Sequence, residues 1–244
     1  MKRRYADLHL CPDSRDEKQL SKMLGRALEF DYRMVAVPTS ISNDREEMDR
    51  LHRVGKDVGI DVVTRLDLRP KSGGDLIRSL RKLRRKYELI AVICDSKPVA
   101  RQAAKDRRVD LLNFVGYGYR QRYFDLSEAE LASNALAGFE VDIGPLLMTG
   151  GSIRAGLLMS LRREVAIARS FNVPVVVSSG VSDVDLMREP NALVALSSLF
   201  DLDHTLALNA VSDTPLGMVK RNREKLCSRY VSPGINIVRE GKDC

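Results

Sequence analysis

The spacing of apolar residues switches repeatedly between alternation and helical periodicity, which predicts strands and helices in succession. Tyr5 to Leu10 alternates, with Ala6, Leu8 and Leu10 on one face and Tyr5, Asp7 and His9 on the other. It predicts a first strand with Asp7 and His9 near its C-terminal end. Residues 13–30 carry Leu20, Met23, Leu24, Ala27 and Leu28 at helical spacing. Met34–Val37 is strand two, stopped by Pro38. Asn43 or Asp44 caps a helix to about Val58, which Gly59 ends. Asp61–Leu68 is strand three, with Arg65 and Arg69 at its exit. Ser72–Lys86 is the most basic helix: Leu76, Ile77, Leu80 and Leu83 face inward, and Arg78, Arg81, Lys82, Arg85 and Lys86 face outward. Leu89–Cys94 is strand four and Val109–Phe114 strand five. Gly116–Tyr123 is a loop, Ser127–Ala137 a helix and Phe139–Ile143 strand six.

Residues 150–180 read as a turn, a long helix and a buried strand. Ser152 is the expected N-cap behind Gly150-Gly151. Leu157, Leu158, Leu161, Val165 and Ala168 make one stripe, and Asn172 ends the helix. Pro174–Val177 suits a strand buried on both faces. Ser178-Ser179-Gly180 closes it, where a parallel sheet puts its working end. Helical pieces follow at Asp183–Met187, Pro190–Leu199, Asp203–Val211 and Pro215–Ser228. No eighth strand appears, and a short run within Tyr230–Val238 is placed to pair at an edge.

These elements make βα repeats at spacings of about 25 to 35 residues, the rhythm of a parallel sheet. The expectation is one α/β domain over residues 1–244: a TIM-like (β/α) barrel, distorted, with about seven strands. An open doubly wound sheet is the alternative, but no Gly-x-Gly-x-x-Gly follows strand one.

The chain has 244 residues and a net charge of +7, with no low-complexity tail to account for it. That charge points to an anionic partner. The four cysteines are dispersed, which excludes a zinc knuckle or disulfide framework and fits free thiols in a reducing cytosol. The basic start lacks a signal-peptide core, and no apolar run is long enough to cross a membrane.

Arg154 opening the helix, then Leu158-x-x-Leu161-Arg162-Arg163, Val173-Pro174-Val175-Val176-Val177 and Ser178-Ser179-Gly180 resemble the archaeal ribonuclease P protein component 3 family. That family is the counterpart of the thirty-kilodalton eukaryotic subunit. Tyr5–Pro12, Val109–Phe114 and Phe139–Ile143 follow the same resemblance in order, so it spans nearly the whole chain. It implies the distorted seven-stranded barrel of the polymerase-and-histidinol-phosphatase (PHP) phosphoesterases. It also implies a subunit of the ribonucleoprotein that removes the 5′ leader from precursor tRNA. The catalytic centre would belong to the RNA, with magnesium for the RNA-catalysed reaction and no cofactor on the protein. The implied partners are ribonuclease P RNA, a small ferredoxin-like protein subunit, other ribonuclease P proteins and, through the complex, precursor tRNA, in the cytoplasm and away from membranes.

The chemistry-bearing residues fall into two groups. Asp7 and His9 are the candidate metal ligands of a PHP-type phosphoesterase, the alternative function. A multinuclear site needs many converging ligands, and the chain has three histidines, of which His52 and His204 fall on helices. The other group is cationic: Arg65, Arg69 and Lys71 after strand three, Lys97 after strand four, Arg120 and Arg122 after strand five, and Arg154 at a helix start. Strand exits of a barrel share one rim, so these cations are expected along one arc facing RNA phosphates. Tyr117 and Tyr119 are the expected base-stacking pair, with Tyr123 beside them. Ser178 and Ser179 join the RNA-facing set. The basic face of residues 72–86 either is solvated or extends that footprint. A third possibility is an interaction scaffold for an acidic protein.

Overall fold

In a computed structural model, residues 3–13, 15–41, 44–116, 122–232 and 235–236 are described. The barrel is built from β1 (Tyr5–Asp7), β2 (Tyr32–Pro38), β3 (Asp61–Leu68), β4 (Leu89–Ile93), β5 (Leu111–Asn113), β6 (Gly138–Asp142) and β7 (Val175–Ser178). All pair in parallel and in chain order. The intervening helices are α1 (Glu17–Glu29), α2 (Asp44–Val58), α3 (Gly73–Leu83), α4 (Lys97–Lys105), α5 (Leu126–Ala135), the short α6 (Gly144–Met148) and α7 (Gly151–Ser170). After β7 come α8 (Pro190–Ser197), α9 (His204–Ala210) and α10 (Asp213–Leu226). Among the described residues, no helix is long and apolar enough to cross a membrane.

Helix starts follow side-chain caps. Asp16 accepts from the amides of Lys18 and Gln19, Ser72 from that of Asp75, and Asp125 from those of Ser127 and Glu128. α7 departs from the expectation: Gly150 is its N-cap and Ser152 lies inside the helix, with no side-chain cap. Gly59 (φ 87°) and Asn172 (φ 54°) stop their helices in the left-handed conformation, as read.

Two apolar layers result. The outer one lies between strands and helices and takes Leu157, Leu161, Val165 and Ala168 from α7. The inner one, Ala6, Leu8, Met34, Ala36, Val63, Leu89, Ala91, Leu111 and Val176, fills the barrel itself. Met218 and Val219 of α10 belong to it and plug its N-terminal end. Arg223 of the same helix grips Asp61 with two bonds of 2.6 and 2.7 Å.

Closure is made between the ends of the sheet. β1 is shorter than expected, because the chain bends at Leu8 and carries Leu10 to the outer layer. There Leu10 bridges Val181 in parallel, and the Gly180 amide donates to the His9 carbonyl at 2.8 Å. The sheet is therefore a nearly closed, seven-stranded TIM-like barrel. The tail also differs from the expectation. β8 (Tyr230–Ser232) and β9 (Ile235–Asn236) pair antiparallel with each other and not with the barrel edge. Cys11, Cys94 and Cys227 are free thiols.

Gly180 sits at a tight point of the closure. Its φ is +59°, and an added Cβ would lie 2.6 Å from Cβ of Asp142. Gly180→Ala combines left-handed strain with a clash against an anchored side chain. The expected loss is about 2 to 3 kcal/mol in urea unfolding, with the m-value unchanged.

Candidate functional site

Polar side chains replace apolar ones at the C-terminal mouth of the barrel. β3 supplies Arg65 and Asp67, β5 Asn113, β6 Glu140 and Asp142, and β7 Ser178. Ladder registers set Asn113 against Glu140 and Asp142 against Ser178, so these side chains share the inner face. His9 swings in from the bend after β1.

Arg65 lies at the centre and is fully buried. Its Nη1 and Nη2 donate to the two oxygens of Glu140 at 2.6 and 2.7 Å, and Nε donates to Asp67 at 2.7 Å. Nη1 also donates to the Leu8 carbonyl, which holds the bend after β1. Ser178 Oγ donates to Glu140 at 2.9 Å. Asn113 Nδ2 donates to Glu140 at 2.9 Å and to Asp142 at 2.8 Å. His9 Nδ1 faces Asp142 at 2.9 Å, and Nε2 faces Asp67 at 3.1 Å.

Protonation follows from this packing. Burial and the Arg65 charge pull the His9 pKa down, but Asp142 and Asp67 outweigh them and leave it well above 6.5. At neutral pH His9 is therefore an imidazolium that donates from both nitrogens. Burial pushes the Asp67 carboxyl up, and Arg65 and His9 hold it well below the usual range. Asp142 is likewise lowered: His9, Arg65 and Asn113 outweigh burial.

His9, Glu140 and Asp142 bring three potential ligand atoms within 4.8 Å of one another. They do not fit a metal. The carboxylate oxygens already accept from Arg65, Asn113, Ser178 and His9, and a doubly protonated histidine has no lone pair to give. A divalent cation would also stand beside a guanidinium. Asp7 takes no part: it is buried and accepts from the amides of His9 and Ser179.

The structure separates the expected RNA-facing residues. Arg65 is buried within the mouth network and not exposed at the rim. Arg122 is buried too, against Glu164, with Nη2 to Oε2 at 2.7 Å, and donates to the Phe114 carbonyl. Ser178 and Ser179 also face inward. Both are buried; Ser178 binds Glu140, and Ser179 Oγ donates to the His9 carbonyl at 3.0 Å. Lys97 is exposed but paired with Asp125 at 2.7 Å. Tyr117, Tyr119 and Arg120 lie outside the described residues. Arg69, Lys71 and Arg154 remain exposed, and Arg154 Nε donates to the Thr149 carbonyl at 2.7 Å. Arg69 lines a cleft of about 350 Å³ whose lining also includes Asn113, Glu140, Asp142 and Val115.

Sequence reasoning missed Asp67, Asn113, Glu140, Asp142 and Glu164. The signal for two of them was present: Glu140 and Asp142 alternate with Phe139, Val141 and Ile143, so two acids face the inside of one strand. A larger cleft, about 810 Å³, lies between α1 and residues 184–192. Of its charged lining, Arg26 and Glu29 pair with each other at 2.9 Å.

Fold and site define a TIM-like barrel whose mouth is saturated by internal ion pairs and whose rim keeps exposed cations. The sequence profile described as RNase P subunit p30 matches residues 4–226, and the chain belongs to that family. It is 27% identical to ribonuclease P protein component 3 of Methanosarcina acetivorans, over 97% of this chain and 95% of that protein. With the protein of the same name in Methanococcoides burtonii it shares 25% identity over 94% of this chain and 91% of that one. A chain in the cryo-EM structure of archaeal ribonuclease P with mature tRNA has the same fold. The TM-score is 0.84 at 20% identity, covering 98% of this chain and 100% of that one. A putative prolidase from Bifidobacterium longum shares the fold more distantly, with a TM-score of 0.56 at 11% identity over 90% of this chain and 70% of that one.

Arg65→Met strands Glu140 and Asp67 without their main counter-charge. Unfolding free energy should fall by about 3 to 5 kcal/mol. The raised His9 pKa gives a second expectation. Its contribution to stability is complete below 6.5 and is lost as pH rises through the higher folded value. In urea titrations across pH, His9→Gln should therefore abolish an alkaline decline that the native protein shows.

Proposed function

We propose that this chain is a protein subunit of ribonuclease P and serves the removal of the 5′ leader from precursor tRNA. The observation that carries the proposal is family membership along residues 4–226. The relatives named ribonuclease P protein component 3 support it. In this reading the chain does not cut. It works in the cytoplasm, pairs with the small ferredoxin-like subunit and, with other ribonuclease P proteins, supports the catalytic domain of the RNA. Magnesium serves the RNA-catalysed step. Exposed Arg69, Lys71 and Arg154 at the mouth end of the barrel would neutralise RNA phosphates. The phosphoesterase reading is disfavoured because its metals would have to displace Arg65 from Glu140.

Reconstitution tests this directly. RNA assembled with this chain and its small partner should cleave precursor tRNA at lower magnesium than RNA alone. The chain alone, supplied with manganese, should leave a phosphate monoester intact; metal-dependent turnover that survives purification would favour the phosphoesterase. Arg69→Gln/Lys71→Gln/Arg154→Gln should reduce the slope of log affinity against log salt by about 3, roughly one per phosphate contact, without changing thermal stability by a comparable fraction.

A further inference from the structure

The end of the barrel opposite the mouth carries a cluster of cations that the ribonuclease P reading leaves unused. α3 and α4 both finish there, since each leads into the start of the next strand. α10 finishes there too, because Arg223 reaches Asp61 at the start of β3 and Glu88 just before β4. The α3 and α10 ends flank one cleft of about 370 Å³, and Arg84, Arg107 and Arg221 stand near enough to Lys225 to act on its charge. Arg85, Lys225, Ser228 and Tyr230 line it.

Four of the acids at this end, Asp110, Asp106, Glu88 and Asp61, are already committed, and Glu224 is exposed on α10. Asp110 is buried, accepts from the Ile90 amide at 2.8 Å and meets Arg84 at 3.3 Å and Arg221 at 3.7 Å. Asp106 is held by Arg108 at 2.7 Å. Glu88 and Asp61 are taken by Arg223. Arg85, Arg107 and Lys225 are exposed and form no ion pair with any described carboxylate. Burial and Arg221, then Arg84 and Arg107, pull the Lys225 pKa down; Asp110 opposes them. Cations so placed repel one another, and a bound anion relieves that repulsion. Helix C-termini favour one or two neighbouring cations through the dipole, but that does not account for a cleft between two helix ends lined by two unpaired ones, with three more cations close by.

We propose that this basal cleft binds phosphates of the RNA backbone, so that the barrel is held by RNA at both ends. This rests on the ribonuclease P reading above. A nucleic-acid backbone presents phosphates at regular intervals, which matches cations spread along successive helix ends. The cleft adds the Ser228 and Tyr230 hydroxyls as neutral donors for phosphate oxygens.

The test is the salt dependence of binding between ribonuclease P RNA and the complex of this chain with its small partner. Arg85→Gln/Lys225→Gln removes two unpaired surface charges, so its melting temperature should match the native protein. The proposal requires a slope reduced by about 2. Lys18→Gln/Lys22→Gln, the same charge loss on α1, should leave the slope unchanged. An equal reduction in that control would mean overall charge alone is read, and would overturn the site. An unchanged slope in the basal variant, with a reduced one in the Arg69/Lys71/Arg154 variant, would overturn the basal cleft and leave the function standing. No salt-dependent binding by the native complex would remove the function reading itself. Polyglutamate competing as well as an RNA fragment, and only when Arg85 and Lys225 are present, would reassign the cleft to an acidic protein.

Discussion

A guanidinium buried inside a barrel must be neutralised on every side, and Arg65 imposes that demand on distant parts of the chain. Its hydrogen bonds reach the β1 exit, its own β3 and β6, and through Glu140 they extend to Asn113 on β5 and Ser178 on β7. Buried ion pairs give little net stability against apolar replacements, because desolvation offsets the attraction. They do penalise any arrangement that leaves a charge unpaired. The mouth therefore fixes strand register and the bend that carries His9 inward, while the apolar layer below supplies the burial energy.

The same demand settles what the mouth can do. Glu140, Asp142 and His9 have the composition of a metal cluster, yet their lone pairs and protons are spent on one another and on Arg65. Positive charge comes from a side chain that cannot dissociate. In the proposed reading, recognition is then left to groups outside the network: Arg69, Lys71 and Arg154 near the mouth, and the cations below the barrel.

Periodicity made the barrel legible. β3 has the bounds read from its alternation, Gly59 and Asn172 stop helices where expected, and every strand of the sheet was anticipated. The short α6 was missed, since five residues are too few to show a period. The candidate site was only partly legible, for a physical reason. Alternation tells which face a side chain takes, but not what stands opposite it. Arg65 and Arg69 both sit near the exit of β3, yet one meets Glu140 from β6 and the other meets solvent. The pairing of Arg122 was hidden for the same reason, because Glu164 lies beside Leu161, Val165 and Ala168 on the buried face of α7. Long cations on loops look alike until their partners are known.

α10 shows how one helix can separate stability from recognition. Its Met218 and Val219 seal the inner core, so they fix the helix across the base of the barrel. Arg223, one turn on, finds acids at the starts of β3 and β4 and is taken out of service. Lys225, a further half turn along, lies near Arg221, Arg84 and Arg107 and a buried aspartate that already has partners. Helical geometry makes these assignments from a few adjacent positions: plug, staple and unpaired charge cannot exchange places without the helix rotating and opening the core. Lys225 has no ion-pair partner among the described carboxylates. It must be satisfied by water or by something that arrives from outside.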